Sequence, residues 1–255
     1  MSAAIGIDVG GSAIKAAVVD LETGVLVGES TACPTPAPAT LAAVGAVIAG
    51  LVLTLEAGTG YTPGSLPVGI AVPSVVRHGI TYTASNIDLD WVGADARSAL
   101  AYAVGRPVVL LNDGDAAGMA EMRLGACRGE HGTVLCLTFG TGIGSALFIN
   151  GHLLPNTELG HLEVGGAEAE HLASGRARRE RGLDWAAWAT EASRVLTTYH
   201  ALFWPELIVL GGGLSDQWEQ FGHLLRVPCS VVPAECRQHA GVIGAALAAA
   251  EGLAP

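Results

Sequence analysis

Residues 136–152, CLTFGTGIGSALFINGH, read as an apolar strand that breaks on a turn of Gly and Thr and resumes as a second strand. Residues 6–24, GIDVGGSAIKAAVVDLETG, follow the same order near the start of the chain. Around the earlier stretch the expected elements are strand 4–8, a Gly-Gly-Ser turn, strand 14–20, an LETG turn and strand 25–30. Around the later one they are strand 133–138, the turn Phe-Gly-Thr-Gly, strand 143–149, an Asn150-Gly151 hairpin turn and strand 152–154. The first start leads through the Pro-rich loop TACPTPAPAT to an apolar helix and a strand at VGIAVPSVV. A loop at TASNIDLDW, a helix around 93–104, the doubly covered strand RPVVLLND and the helix GDAAGMAEMRLGA follow. The second start leads to a polar loop and helix over 157–181 and a Trp-rich helix, DWAAWATEASRVLTTYHALF. The strand ELIVLGGG, a short strand near Val231 and the helix AGVIGAALAAA close the chain. A start made twice predicts an α/β class protein with a duplicated fold, two α/β domains around a cleft. The expected division is a small N-terminal domain over 1–110, with a C-terminal helix of about 240–255 packing back on it. A larger domain over 111–239 carries the second turn.

Half of the 255 residues are hydrophobic and 15% are charged, which specifies a folded chain with a large buried core. The net charge is −11 and Lys15 is the only lysine, so the basic face that nucleic-acid binding needs is missing. Five cysteines, at 33, 127, 136, 229 and 236, form no CxxC pair, so neither a structural zinc nor a disulfide framework is expected. MSAAIGIDVG enters a strand without a basic leader, and the expected compartment is the reducing cytoplasm. Residues 39–55 are apolar but short for a membrane span. Leu41, Val44, Ile48, Leu51, Val52 and Leu55 recur at helical spacing, which predicts a buried amphipathic helix and no membrane partner.

Three glycine turns directly follow apolar strands: Gly10-Gly11-Ser12, Gly140-Thr141-Gly142 and Gly211-Gly212-Gly213. Glycine permits positive φ and close backbone approach, so successive N–H groups can cradle an anion, and phosphate is the expected ligand. Asp8 precedes the first turn. A carboxylate beside a phosphate cradle repels its ligand unless a cation bridges them, so Mg²⁺ is expected at Asp8. Lys15 is either a partner of that site or a solvated surface lysine. Asn112 and Asp113 end a buried strand, where open α/β sheets bind ligands. Asp113 there can serve as a general base or as a helix cap; Asp115 taking the cap would leave Asp113 for chemistry. Glu158 and His161 stand one turn apart and, with Asn86, suit the hydroxyls of a neutral substrate better than a metal; the alternative is a solvent-facing capped helix. Arg176, Arg178, Arg179 and Arg181 form either a solvated face or a contact for a long polyanion.

In order along the chain, IGIDVGGSAIKAAVVD, TASNIDLDW, NDGDAAGMAE, LTFGTGIGSALF, NGHLLPNTELGHLE, LIVLGGGLS and AGVIGAA resemble the polyphosphate-using glucokinases of the ROK family of sugar kinases. The resemblance covers about residues 4–250, and LPNTELGHLE with GTGIGSALF is its most specific part. It implies the actin-like ATPase (ribonuclease H-like) fold. By resemblance, Asp8 lies at the metal, with Gly10, Gly11, Ser12 and Lys15 at the first phosphate turn. Thr138, Gly140, Thr141 and Gly142 form the second. Gly211, Gly212 and Gly213 lie where the nucleoside or another part of the donor passes. Asp113 matches the catalytic base for the sugar 6-hydroxyl. Asn86, Asn112, Asp113, Glu158, His161 and Glu170 match sugar ligands. Arg176, Arg178 and Arg179 are the candidate polyphosphate contacts.

The implied reaction is phosphoryl transfer from polyphosphate and/or ATP to glucose, with Mg²⁺ and without zinc, in a homodimer. The chain departs from the pattern at several places. The Cys-rich zinc motif that follows GH in the broader family is absent; Ser74, Phe139 and Gly114 replace the usual Gly, Leu and Ala; and GGGLSDQWEQF carries no lysine. Two other readings stay open: an ATP-dependent kinase for mannose or an N-acylated hexosamine, and a non-catalytic sugar sensor on a kinase scaffold.

Overall fold

The computed structural model describes residues 2–253. The expected closing helix of about 240–255 therefore has its last two positions outside the described residues. The chain forms two units. One comprises the residues up to Ala120 together with those from His239 on, and the other is Glu121–Gln238.

The first unit runs β1 (Ala3–Val9), β2 (Ala13–Asp20), β3 (Leu26–Pro34), α1 (Leu41–Thr59) and β4 (Val68–Val72). A small hairpin, β5 (Val76–Arg77) and β6 (Ile80–Thr81), a 3-10 turn at Leu89–Trp91, α2 (Ala96–Val104), β7 (Val109–Asn112) and α3 (Asp113–Leu124) follow. The second unit takes over within the last turns of α3. It runs β8 (Thr133–Phe139), β9 (Ile143–Ile149), β10 (His152–Leu154), a 3-10 turn at Leu159–His161, α4 (Ala169–Ala173) and α5 (Gly175–Glu180). It continues with α6 (Trp185–Phe203), β11 (Leu207–Gly211), α7 (Trp218–Phe221) and β12 (Ser230–Pro233). Helix α8 (Ala240–Glu251) returns to the first unit.

The two main sheets have one topology. Their orders are β3-β2-β1-β4-β7 and β10-β9-β8-β11-β12. In each, the first strand pairs antiparallel with the second and parallel with the fourth. The duplication read from the twin turns is thus present strand for strand.

Helix α1 is, by length and composition alone, the one helix among the described residues that could cross a membrane. Val44, Ile48, Leu51, Val52 and Leu55 instead join a core with Ile5, Ile7, Val18, Val68 and Ile70. The Thr40 side chain caps its start and Gly60, at φ 73°, ends it. Helix α2 begins at Ala96, later than expected, because Asp95 accepts from the Ser98 N–H and so sets its start.

Helix α8 meets the first sheet backbone to backbone. A Cβ at Gly6 would fall on the Val242 carbonyl, and one at Gly69 on the Ala245 carbonyl. A Cβ at Gly244 would likewise strike the Ala116 carbonyl of α3. This contact binds the start of α3 to α8, and the unit boundary follows Ala120 rather than residue 110.

The polar loop and helix expected over 157–181 form a 3-10 turn and two short helices. Tertiary bonds replace helical ones there, as when Trp188 Nε1 donates to the Ala173 carbonyl at 2.8 Å. Behind the segment, Trp188 stands edge-on to Phe139, Trp185 and Phe221 at centroid distances of 5.8, 5.9 and 4.8 Å.

Gly6→Ala and Gly69→Ala force a methyl into the α8 backbone and are expected to cost about 3 kcal/mol or more each. Gly50 lies in α1 with nothing within 4 Å of its missing Cβ. Gly50→Ala is expected to gain about 0.4–1 kcal/mol. Urea unfolding of the three variants checks the contrast.

Candidate functional site

In the first unit the β1–β2 turn is tied down from one side. Gly10 donates its N–H to the Ala13 carbonyl at 3.0 Å. The Gly10 carbonyl accepts from Thr35 Oγ1 at 2.5 Å and the Ser12 carbonyl from the Thr35 N–H at 3.1 Å. Gly11 and Ser12 are exposed at the tip. Neither Gly10 nor Gly11 has positive φ, nor do Gly140 and Gly142; of the three turns only Gly212, at 77°, does. Glycine is used here for close approach instead. A Cβ on Gly11 would lie 2.6 Å from Asn86 Cβ, so the turn abuts one of the expected sugar ligands.

Asp8 sits opposite Lys15 in the β1–β2 register. Burial pushes the Asp8 carboxyl above the usual carboxylate range, and Lys15 partly offsets this. The start of α8 comes close, since a Cβ on Gly241 would lie 2.7 Å from Asp8 Cγ. A desolvated carboxylate beside the first glycine turn, with one lysine to answer it, has the chemistry that suits a divalent cation held by one carboxylate, oxygens of a ligand and water.

Asn112 ends β7 and is buried. Its Oδ1 accepts from the Asp115 N–H at 3.1 Å, and its Nδ2 donates to the Ser74 carbonyl at 3.2 Å. The cap of α3 is therefore Asn112, not Asp115, which is fully buried in the first turn. Asp113 is the first helical residue, half-buried, with Oδ1 accepting from the Gly114 N–H at 2.8 Å. Ser74 also reaches the other expected ligand. Its hydroxyl donates to the Thr83 carbonyl at 2.6 Å, in the loop that carries the exposed Asn86 at φ 63°.

The second unit brings Glu158, His161 and Glu170 together and adds Glu168, which sequence reasoning missed. Ser145 on β9 pins the segment: its hydroxyl donates to the Thr157 carbonyl at 2.6 Å and accepts from the Leu159 N–H at 3.1 Å. Tyr199 on α6 donates to the Leu159 carbonyl at 2.6 Å. Burial pushes the Glu158 carboxyl up, although His161 opposes it. The facing atoms of His161, Glu168 and Glu170 lie within 4.8 Å of one another. Glu170 is packed against Gly142, where a Cβ would strike its Oε2.

The second and third glycine turns are neighbours in this unit. Gly211 pairs with Thr138, and Gly212 packs on the Phe139 backbone, 2.6 Å from a Cβ there to the carbonyl oxygen. The Arg176 N–H donates to the Gly140 carbonyl at 3.1 Å, which sets α5 beside the second turn. Of the arginines, Arg176 lies 3.8 Å from Glu170 and Arg179 is exposed. Arg178 stacks over Trp185 at 3.6 Å from the ring centroid. A cavity of about 440 Å³ opens beyond the third turn, lined by Ser215, Asp216, Trp218, Glu219, Glu235 and Arg237 among others.

The ROK family profile matches residues 4–181. Polyphosphate glucokinase of Mycobacterium tuberculosis (strain H37Rv) is 46% identical over 244 residues, covering 95% of this chain and 89% of its own. The crystal structure of inorganic polyphosphate/ATP-glucomannokinase from Arthrobacter sp. strain KM has a TM-score of 0.94 at 43% identity, over 99% of this chain and 100% of that one. That of a ROK family glucokinase from Streptomyces griseus, in complex with glucose and AMPPNP, has a TM-score of 0.80 at 26% identity, over 98% and 100%. The duplicated α/β fold is the actin-like ATPase fold of these neighbours.

A methyl at residue 11 displaces Asn86. Gly11→Ala is expected to weaken glucose binding about tenfold, some 1.4 kcal/mol, with the unfolding midpoint little changed. Titration calorimetry checks the affinity.

Proposed function

Because the chain belongs to the ROK family, we propose that it is a glucokinase that moves a phosphoryl group from polyphosphate and/or ATP to the 6-hydroxyl of glucose. The observation that carries this reading is the end of β7, where Asn112 takes the cap and leaves Asp113 half-buried at the start of α3. The positive end of the helix dipole faces that carboxylate. Asp113 accepts the proton of the attacking hydroxyl, which makes the sugar oxygen a nucleophile. In the first unit Asn86 and Asn112 are the proposed ligands for sugar hydroxyls; in the second, Glu158, His161 and Glu170 are. The Gly10 and Gly140 N–H groups close their own turns, and the tips beyond them, at 11–12 and 141–142, carry the main-chain N–H groups proposed for the phosphoryl oxygens, a charge stabilisation that is preorganised. Asp8, with Lys15 beside it, holds Mg²⁺, which when bound neutralises phosphate charge. Arg176 and Arg179 are the arginines of the run left to meet a polyanion, since Arg178 is spent on Trp185.

The cavity beyond Gly213 supports ATP among the donors. Asp216, Glu219 and Glu235 line it with one arginine, which suits an uncharged ring beside Trp218 better than a chain of phosphates. The same reading takes the protein as a cytoplasmic homodimer. Unpaired cysteines suit a reducing compartment, and light scattering reads the oligomeric state.

Asp113→Asn is expected to lower kcat by about 10²–10⁴-fold while glucose affinity stays within a few-fold. A coupled assay for glucose 6-phosphate, with calorimetry for glucose, checks both; turnover near wild type would remove Asp113 from the role of base. In the same assay, Trp218→Ala should raise KM for ATP about tenfold and leave KM for polyphosphate unchanged.

A further inference from the structure

His161 closes the 3-10 turn and is exposed, with Nδ1 3.1 Å from Glu168 Oε2 and Nε2 3.9 Å from Glu158 Oε2. Each imidazole nitrogen can donate or accept, and the partner of one decides the state of the other. A carboxylate only accepts, so Glu168 keeps a proton on Nδ1. Nε2 then faces Glu158 as an acceptor when the ring is neutral and as a donor when it is charged.

The backbone delivers Glu168 to that place. Glu163 and Glu168 form a β-bridge; the Val164 N–H donates to the Ala167 carbonyl at 2.8 Å and the Ala169 N–H to the Leu162 carbonyl at 2.9 Å. Glu168 stands at the cap position of α4, yet its side chain makes no capping bond. Its carboxylate is spent on His161 instead of on its own helix.

We propose that Glu168 is a positioning residue for glucose, fixing the tautomer and plane of His161 so that Nε2, beside Glu158, meets a sugar hydroxyl. The proposal rests on the reading of His161 as a sugar ligand. Glu158, Glu168 and Glu170 face the ring, while His171 and Arg176 face Glu170 at 4.0 and 3.8 Å. The Glu168 hydrogen bond accordingly holds His161 above the ordinary histidine range, and the same bond holds Glu168 below the carboxylate range. The charged form of the pair is complete between the lowered Glu168 value and the raised His161 value, and it is lost as pH rises through the latter. The tautomer set by Glu168 persists above it.

The test compares glucose KM at pH 6 and pH 8.5 for the full-length wild type, Glu168→Ala, Glu168→Gln, His161→Ala and the Glu168→Ala/His161→Ala double variant. Glu168→Ala should raise KM about 5- to 10-fold at pH 8.5, where the neutral ring is free to choose its tautomer, with kcat within about twofold. At pH 6, where a charged ring has no tautomer to choose, the defect should shrink. Glu168→Gln keeps an acceptor for Nδ1 and should bring KM back to within about twofold of wild type. The double variant should be no worse than His161→Ala, because Glu168 acts through that ring. Nitrogen NMR should show Nδ1–H in the wild type and mixed tautomers, with a midpoint moved to lower pH, in Glu168→Ala.

Effects that multiply in the double variant, a defect independent of pH, or an unchanged KM in Glu168→Ala beside an impaired His161→Ala would each overturn the proposal alone. An unchanged KM in His161→Ala would overturn the sugar role of His161 as well. Neither result touches glucose phosphorylation, which the wild-type assay reads separately.

Discussion

Two missing side chains let the α8 backbone rest on the first sheet at Gly6 and Gly69, and most of that unit's chemistry is arranged by this contact. β1 carries Asp8 and the first glycine turn, and the start of α8 reaches Asp8 at Gly241. The middle of α8 holds α3 through Gly244 and Ala116, and α3 begins at Asp113. A helix from the far end of the chain thus holds both the first glycine turn and the start of α3, where the proposed base stands. Its sequence, AGVIGAALAAA, has small residues because larger ones would keep the backbones apart.

The second unit positions its residues differently, through single polar side chains aimed at main chain. Ser145 and Tyr199 hold the carbonyls and N–H on either side of Glu158. Glu121, buried at the end of α3, accepts from the N–H groups of Ala126, Glu235 and Cys236 at 2.8, 3.1 and 2.7 Å. It thereby fixes one wall of the cavity beyond Gly213. The nearby Cys236 thiol is pushed up to about 12 by burial and by Glu121, so it stays protonated and unreactive.

What could be read from the sequence was whatever repeats at a short period. Alternating and continuous apolar runs located the strands, and their repetition disclosed the duplicated topology before any contact was known. Residues 157–181 have no such period, and beyond a polar loop a single helix was expected where the chain is held by Ser145, Tyr199 and Trp188, partners distant in sequence. The sequence leaves the cap of α3 open between Asp113 and Asp115 because Asp caps well; the hydrogen bond from the Asp115 N–H to Asn112 Oδ1 gives it to Asn112. Glu168 left no signal, since its contact with His161 depends on the bridge between residues 163 and 168 rather than on helical spacing. The arginine run was visible as charge, but the stacking of Arg178 on the Trp185 ring was not.

Asp8 and Asp113 are both carboxylates at the ends of strands in one sheet, and their surroundings assign them different work. Asp8 is deprived of water, and its raised pKa records how poorly the bare charge is compensated there; Lys15 opposite answers only part of it. Such a group demands a positive partner and suits a cation that arrives with phosphate. Asp113 has the start of a helix behind it, a main-chain N–H on Oδ1 and no need to cap, because Asn112 does so. A carboxylate at that place is half-buried at the start of a helix, not sealed in the core. Asp115, two residues on, has the same chemistry but lies fully buried, out of reach of a hydroxyl. Position along the first turn of α3, rather than residue type, therefore separates the proposed base from its neighbour.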